Sequence, residues 1–145
     1  PERFDSRYRQ IADVRAGRLR AVIIEEMKPV YLAPENRGDQ DLLDLLVNMA
    51  MDVGAEAFVA QSVALRDRPG RSAALRAYPG PALVLCGADD RLCPPERHRE
   101  MAALLPDAEL VLVPGAGHIS TLENPAAVNA AFRNWLSRRP AHADE

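Results

Sequence analysis

Two short stretches in the second half of the chain hold side chains that can pass a proton between them. Gly87-Ala88-Asp89-Asp90-Arg91-Leu92-Cys93-Pro94 offers carboxylates, and Pro114-Gly115-Ala116-Gly117-His118 offers an imidazole. A carboxylate bonded to an imidazole fixes the tautomer of the ring and stabilises the imidazolium that forms when the ring takes a proton, so the two act as a general base with its orienting acid. Asp90 is the expected acid rather than Asp89, because it stands three residues after Gly87 and four before Pro94. Without further context both aspartates would be turn formers. The other histidines lack this setting: His98 lies between Arg97 and Arg99 and reads as a surface residue, and His142 falls in a polar tail after Pro140. Cys86 and Cys93 do not have the paired spacing of zinc ligands.

The elements that must position Asp90 and His118 follow from the flanking residues. Ala82-Leu83-Val84-Leu85-Cys86 and Leu110-Val111-Leu112-Val113 are apolar, rich in branched residues and without polar alternation, which predicts two strands buried on both faces, as in a parallel sheet. Between them, Pro94-Pro95 opens and Pro106 closes a helical stretch through Met101, Leu104 and Leu105. Strand, helix and strand within about thirty residues make a βαβ unit, whose two strands run parallel. Their following loops emerge side by side at the carboxyl edge, where open α/β folds bind ligands. Gly115 and Gly117 suit a tight loop with positive φ, and Gly87 a sharp exit from the first strand. After the second loop, Asn124 as N-cap and Pro125 at the first helical position open a last helix, with Val128, Phe132, Trp135 and Leu136 on one face for packing. Glu123 reads as a carboxylate suited to that helix's dipole, and Arg138 and Arg139 as its closing charges.

The first half reads as helices. Phe4, Tyr8, Ile11 and Ala12 recur at helical spacing up to Gly17, and Leu19, Val22, Ile23, Met27, Val30 and Tyr31 form a second stripe. A third helix starts at Asp39 and Asp41 and carries Leu42, Leu45, Leu46, Met49 and Val53, with Gly54 as its C-cap; a fourth carries Phe58, Val59 and Leu65 as far as Pro69-Gly70. Residues 72–77 allow one further turn. Met27, Met49 and Met51 can either line a pocket or fill a core, and core filling is the commoner use.

Pro81-Ala82-Leu83-Val84-Leu85-Cys86-Gly87-x-x-Asp90-x-x-x-Pro94, then Val113-Pro114-Gly115-Ala116-Gly117-His118, then Glu123-Asn124-Pro125 resemble the α/β-hydrolase family. They look like its penultimate strand with the acid, its last strand with the histidine, and its C-terminal helix, in the family's order; the likeness is specific over residues 75–136. The resemblance implies an α/β fold made of the C-terminal portion of such a hydrolase. Residues 1–77 would be a helical cap-like segment, 78–139 the βαβα part of the core, and 140–145 a flexible tail. From periodicity alone the four helices read as a bundle burying its own stripes; their place in the chain points instead to the cap that roofs the active site in many members. The implied catalytic residues are Asp90 and His118.

In the family a nucleophile on a G-x-S-x-G elbow precedes the acid. None of Ser6, Ser62, Ser72, Ser120 and Ser137 has glycine two residues away on both sides. The glycine-rich oxyanion loop and the first strands have no counterpart either, and 145 residues are short for a complete hydrolase of this kind. The chain therefore reads as a C-terminal part that is inactive alone. Completed, it would hydrolyse a small-molecule ester or lactone through a Ser-His-Asp triad, for which the resemblance implies no metal and no organic cofactor; the phrase from Ala116 to Pro125 looks most like esterases and enol-lactonases, and an aspartate nucleophile, as in dehalogenase relatives, is a variant. Two buried parallel strands alone leave a backbone edge open, which an N-terminal hydrolase half or another copy of this chain would cover. The competing reading is a non-catalytic self-associating or ligand-binding module, and a third is a helical regulatory domain in which neither Asp90 nor His118 matters.

Composition narrows the partners. Net charge is −3, with 18 basic and 21 acidic residues interspersed, and no basic stripe interleaved with aromatics, so nucleic acid is not an expected partner. No apolar run reaches membrane-spanning length and the amino end does not look like a signal peptide, so no membrane partner is expected. Two cysteines without a paired pattern fit a cytoplasmic setting.

Overall fold

Branched apolar residues with no polar alternation leave little choice but extended structure between Pro81 and Gly87. The computed structural model describes residues 2–138, with the side chains of all of these except 2–5 and 27–29. Strand β1 (Ala82–Gly87) pairs in parallel with β2 (Ala108–Val113), in a register that sets Ala82 opposite Ala108 and Gly87 opposite Val113. The crossover is a helix, Pro95–Leu104. Pro94 stands at its N-cap and Pro95 in its first turn, where the missing N–H removes no helical bond. Leu105, before Pro106, is already extended (φ −86°, ψ 134°), because proline disfavours the helical conformation in the residue ahead of it.

Burial of the strands is less complete than the sequence predicts. Val84, Cys86 and Val113 are buried, but Leu83, Leu85 and residues 108–112 are only partly so. A sheet of two strands offers each strand one neighbour, so neither is sandwiched. The final helix, Pro125–Leu136, shows the same shortage. Its buried face is Val128 and Ala131, and Val128 joins Val113 and Ala116 in a core against which Leu85, Val111 and Ala127 pack. Phe132 and Leu136, expected on the packing face, are exposed, since two strands cover only one side of the broad apolar stripe. Asn124 caps this helix, its Oδ1 accepting from the Ala127 N–H at 3.1 Å while its Nδ2 donates to the Pro114 carbonyl at 3.0 Å. Arg138 reaches Asp107 at 2.9 Å and Glu109 at 3.5 Å. Arg139, His142 and the expected tail lie outside the described residues.

The helical half begins with Glu2–Arg15, which ends ahead of Gly17 at φ 84°. The second expected stripe is not one helix: Leu19–Val22 is α-helical, Ile23–Met27 is wound as a π-turn, and Lys28–Tyr31 returns to α. Pro29 has no N–H for the carbonyl four residues back, and a disturbed turn ahead of a proline is the usual result. Helix Gln40–Asp67 starts at Asp39, whose side chain accepts from the Leu42 N–H, and is broken at Gly54, where the sequence placed a C-cap; its φ of 85° is positive, but its ψ of 171° is extended rather than that of a left-handed cap. Val14, Leu19, Val22, Ile23 and Val47 form the core here, with Ala50, Phe58 and Val59 partly buried against it. Leu45, Met49, Val53 and Leu65 are exposed, so the stripe read from the sequence is rotated from the one actually buried, which centres on Leu46 and Val47. Met49 and Met51 are exposed and fill no core; the Met27 side chain lies outside the described residues.

The chain divides into two compact units, one of Pro1–Pro29 with Arg37–Gly70 and the other of Val30–Asn36 with Arg71–Glu145. A seven-residue strap, 30–36, thus belongs with the strands although it lies in the helical half of the sequence. Replacing Asn124 with alanine removes one side-chain cap and one loop bond; a loss of about 1 kcal/mol is expected, read as a lower urea midpoint with an unchanged slope.

Candidate active site

Pairing Gly87 with Val113 makes the two strands end level, and the loops that leave them are tied together at once. The Ala88 N–H donates to the Val113 carbonyl at 2.8 Å, and the Asp89 N–H to the Ala116 carbonyl at 2.9 Å. Asp90 follows, with its side chain 4% exposed. Its Oδ1 accepts from the Leu92 and Cys93 N–H groups, both at 2.8 Å, and its Oδ2 accepts from His118 Nδ1 at 2.9 Å. Asp90 thus bonds its own turn through one oxygen and the imidazole through the other. A carboxylate this buried is stable only when its lone pairs are used, and three donors use them. His118 keeps a side chain 30% exposed. With Nδ1–H committed to Asp90, Nε2 is the basic nitrogen.

The histidine loop is gripped from its other side by the strap. The His118 N–H donates to the Tyr31 carbonyl at 2.6 Å, and the Tyr31 ring stacks on the imidazole with centroids 5.6 Å apart and planes at 30°. Glu123 accepts from the Gly117 N–H at 2.8 Å through Oε1, and from the Ala33 N–H at 2.7 Å and Asn36 Nδ2 at 2.9 Å through Oε2. Asn36 also donates to the Gly115 carbonyl at 3.1 Å. Sequence reasoning missed Tyr31 and Asn36 and gave Glu123 only its helix-start role. Contacts that span 79 to 90 residues leave no local signature. The one available hint was a carboxylate placed just ahead of an Asn-Pro start that already had its cap.

Of the loop glycines, Gly115 has the expected positive φ of 62°, whereas Gly117 is not among the positive-φ residues. Gly117 is needed for close approach: a Cβ there would stand 2.5 Å from the Tyr31 carbonyl oxygen and 2.7 Å from the Ala33 nitrogen. Gly87 is similar, since its Cβ would collide with the carbonyls of Ala116 and Gly117. Beside Asp90 lies a cleft of about 470 Å³ lined by Pro34, Ala88, Asp89, Arg91, Pro94 and Glu96 among others. His98 sits on the crossover helix with Nδ1 3.3 Å from the Pro94 carbonyl, away from this constellation of bonds. Among the described residues, no group of three or more His, Cys, Asp or Glu is placed to hold a metal, and no helix is long and apolar enough to cross a membrane.

A parallel βαβ unit with an acid loop, then a histidine loop, then a closing helix, all preceded by helices, is the C-terminal portion of an α/β-hydrolase fold. The chain belongs to the alpha/beta hydrolase family, whose model matches residues 1–131. Among solved structures, a malate-bound thermophilic esterase from Thermogutta terrifontis is similar over 94% of this chain and 50% of its own, with 31% identity and a TM-score of 0.85. The enol-lactonase from Burkholderia xenovorans LB400 shares the fold at 19% identity and a TM-score of 0.81, over 90% of this chain and 50% of its own. A proline iminopeptidase of Levilactobacillus brevis is 35% identical over 74 residues, which are 51% of this chain and 24% of that protein. The chain spans about half the length of the solved structures it matches, and its match covers about a quarter of the curated relatives.

Two predictions follow from the loop geometry. Gly87→Ala should drive the acid and histidine loops apart and lower stability by about 1–3 kcal/mol; an unchanged unfolding midpoint would contradict the close approach. Burial, reinforced by the charge of Asp90, pushes the Cys86 thiol up from 9.0 to about 11. The folded chain then keeps a proton that the unfolded chain releases, so this group's contribution is full below pH 9 and is lost as pH rises towards 11. Iodoacetamide at pH 8 should label exposed Cys93 and leave Cys86 unlabelled until denaturant is added, as read by peptide mass.

Proposed function

We propose that this chain carries the acid and the base of a hydrolytic site for a small-molecule ester or lactone, with the nucleophile supplied from outside residues 1–145. The observation that carries this reading is the 2.9 Å bond between His118 Nδ1 and the buried Asp90 carboxylate. Nε2 of His118 would take the proton of a serine hydroxyl as its oxygen attacks the carbonyl carbon, and would return that proton to the departing alkoxide. Asp90 holds the ring and stabilises the imidazolium between the two transfers. Water then repeats the sequence on the acyl group, with His118 as base again. The similarity to an esterase at 31% identity supports ester chemistry, and the shared fold with an enol-lactonase is compatible with a lactone. Residues 1–77 are assigned to a cap and 78–139 to the core, in a cytoplasmic protein.

The half-buried strands favour a partner along the open sheet, either an N-terminal hydrolase half or a second copy of this chain. The exposed Phe132 and Leu136 favour, as a second reading, a self-associating module without turnover. Native mass separates the partners. The function is tested with p-nitrophenyl esters on the chain alone and on the chain assembled with an N-terminal half bearing G-x-S-x-G. The chain alone should stay at background. The assembly should turn over, and His118→Ala or Asp90→Asn should each lower its kcat by about 10³-fold or more. Turnover by pure 145-residue protein that His118→Ala abolishes would refute an external nucleophile; an assembly indifferent to both substitutions would refute the assignment of the pair.

A further inference from the structure

A general base is useful only if its ring is held in one orientation, and Asp90 restrains it at a single atom. What fixes the backbone of His118 is a different group. Glu123 draws three N–H donors onto one carboxylate: Gly117, the residue before the histidine, on Oε1, and Ala33 and Asn36 of the strap on Oε2. The strap is anchored by Leu32 and Ala33, which are fully buried, and it returns the grip through the Tyr31 carbonyl on the His118 N–H and the Tyr31 ring on the imidazole. Glu123 is therefore the link between the peptide that carries the base and the segment that stacks on it. We propose that Glu123 is the positioning residue for His118, clamping the histidine loop against the 31–36 strap so that the ring meets Asp90. The inference builds on the reading of His118 as base, but its geometry can be tested without turnover.

The donor pattern explains why a carboxylate is needed. All three partners are N–H groups, so both oxygens of the side chain must accept. A glutamine has the same shape but one oxygen only; whichever way its amide turns, an NH₂ faces either Gly117 N–H or the Ala33 and Asn36 donors, and buried donors facing donors are costly. Aspartate keeps both acceptors on a shorter stem.

The test uses the whole chain with ¹⁵N-labelled histidine. In the unmodified protein the His118 ring should show an Nδ1–H signal downfield of the other histidines. In Glu123→Gln that signal should broaden or move towards the positions of exposed histidines, while His98 stays unmoved and circular dichroism is unchanged; Glu123→Asp should restore part of it. His118 ring signals that overlay in Glu123→Gln and the unmodified protein would overturn the proposal. Should Glu123→Gln not fold, Asn36→Ala leaves the carboxylate but removes the strap's side-chain donor, and must shift the same signal in the same direction for the proposal to stand. In a catalytically complete assembly, Glu123→Gln should lower kcat about 10- to 100-fold with KM within about twofold. A displaced ring with unaltered turnover would keep Glu123 as positioning residue and remove His118 as base.

Discussion

The register that sets Gly87 opposite Val113 is the constraint from which the rest of the site follows. Parallel strands ending level send their next residues out at the same height, and Asp90 comes three residues after Gly87 while His118 comes five after Val113. A slip of one residue would turn Cys86 and Val84 to the opposite face and separate the loops by a residue's rise, about 3.3 Å. Nothing in the loops could recover that distance, because the Ala88–Val113 and Asp89–Ala116 backbone bonds leave no slack. Missing side chains at positions 87 and 117 are part of the same constraint: the main chains touch where a Cβ would stand.

Given that geometry, the chemistry of Asp90 is decided by how its oxygens are divided. One takes two backbone donors from its own loop and the other takes the imidazole. An asparagine could satisfy the turn through its oxygen, but its NH₂ would then face Nδ1 and favour the wrong tautomer. The carboxylate bonds the ring through one oxygen, while the backbone donors keep it from being an isolated ion in a low-dielectric pocket. The imidazole also stacks on the Tyr31 ring, and the His118 main-chain N–H bonds the Tyr31 carbonyl, so the residue is held in place without a second charge.

Much of this was legible in the sequence, and the illegible parts share a cause. β1, the crossover helix, β2 and the final helix were readable because each is bounded by local chemistry: proline at Pro95, Pro106 and Pro125, an Asn124 cap, and unbroken branched runs. The break at Gly54 was readable for the same reason. Asp90 and His118 stood out because the family motif is local as well. The strap could not be read. Tyr31 and Val30 continue the apolar spacing of the preceding helix, and only tertiary packing reveals that residues 30–36 leave one compact unit for the other. The π-turn at Ile23–Met27 interrupts the single helix that periodicity had assigned. On the last helix, periodicity correctly found an apolar band but could not tell which half of it would be covered, because that depends on the width of the sheet beneath.

The Asp90–His118 contact is nevertheless assembled inside one compact unit, by residues 30–36 and the segment from Arg71 onward. Its hydrogen bonds close on themselves: sheet to loop, loop to imidazole, imidazole loop to strap, and strap to Glu123. The contact between Asp90 and His118 is thus held by this unit's own bonds. Leu83, Leu85 and Leu110 stay half-buried because each strand of a two-stranded sheet has one neighbour, whereas the Asp90 carboxylate can be buried because both its oxygens are bonded.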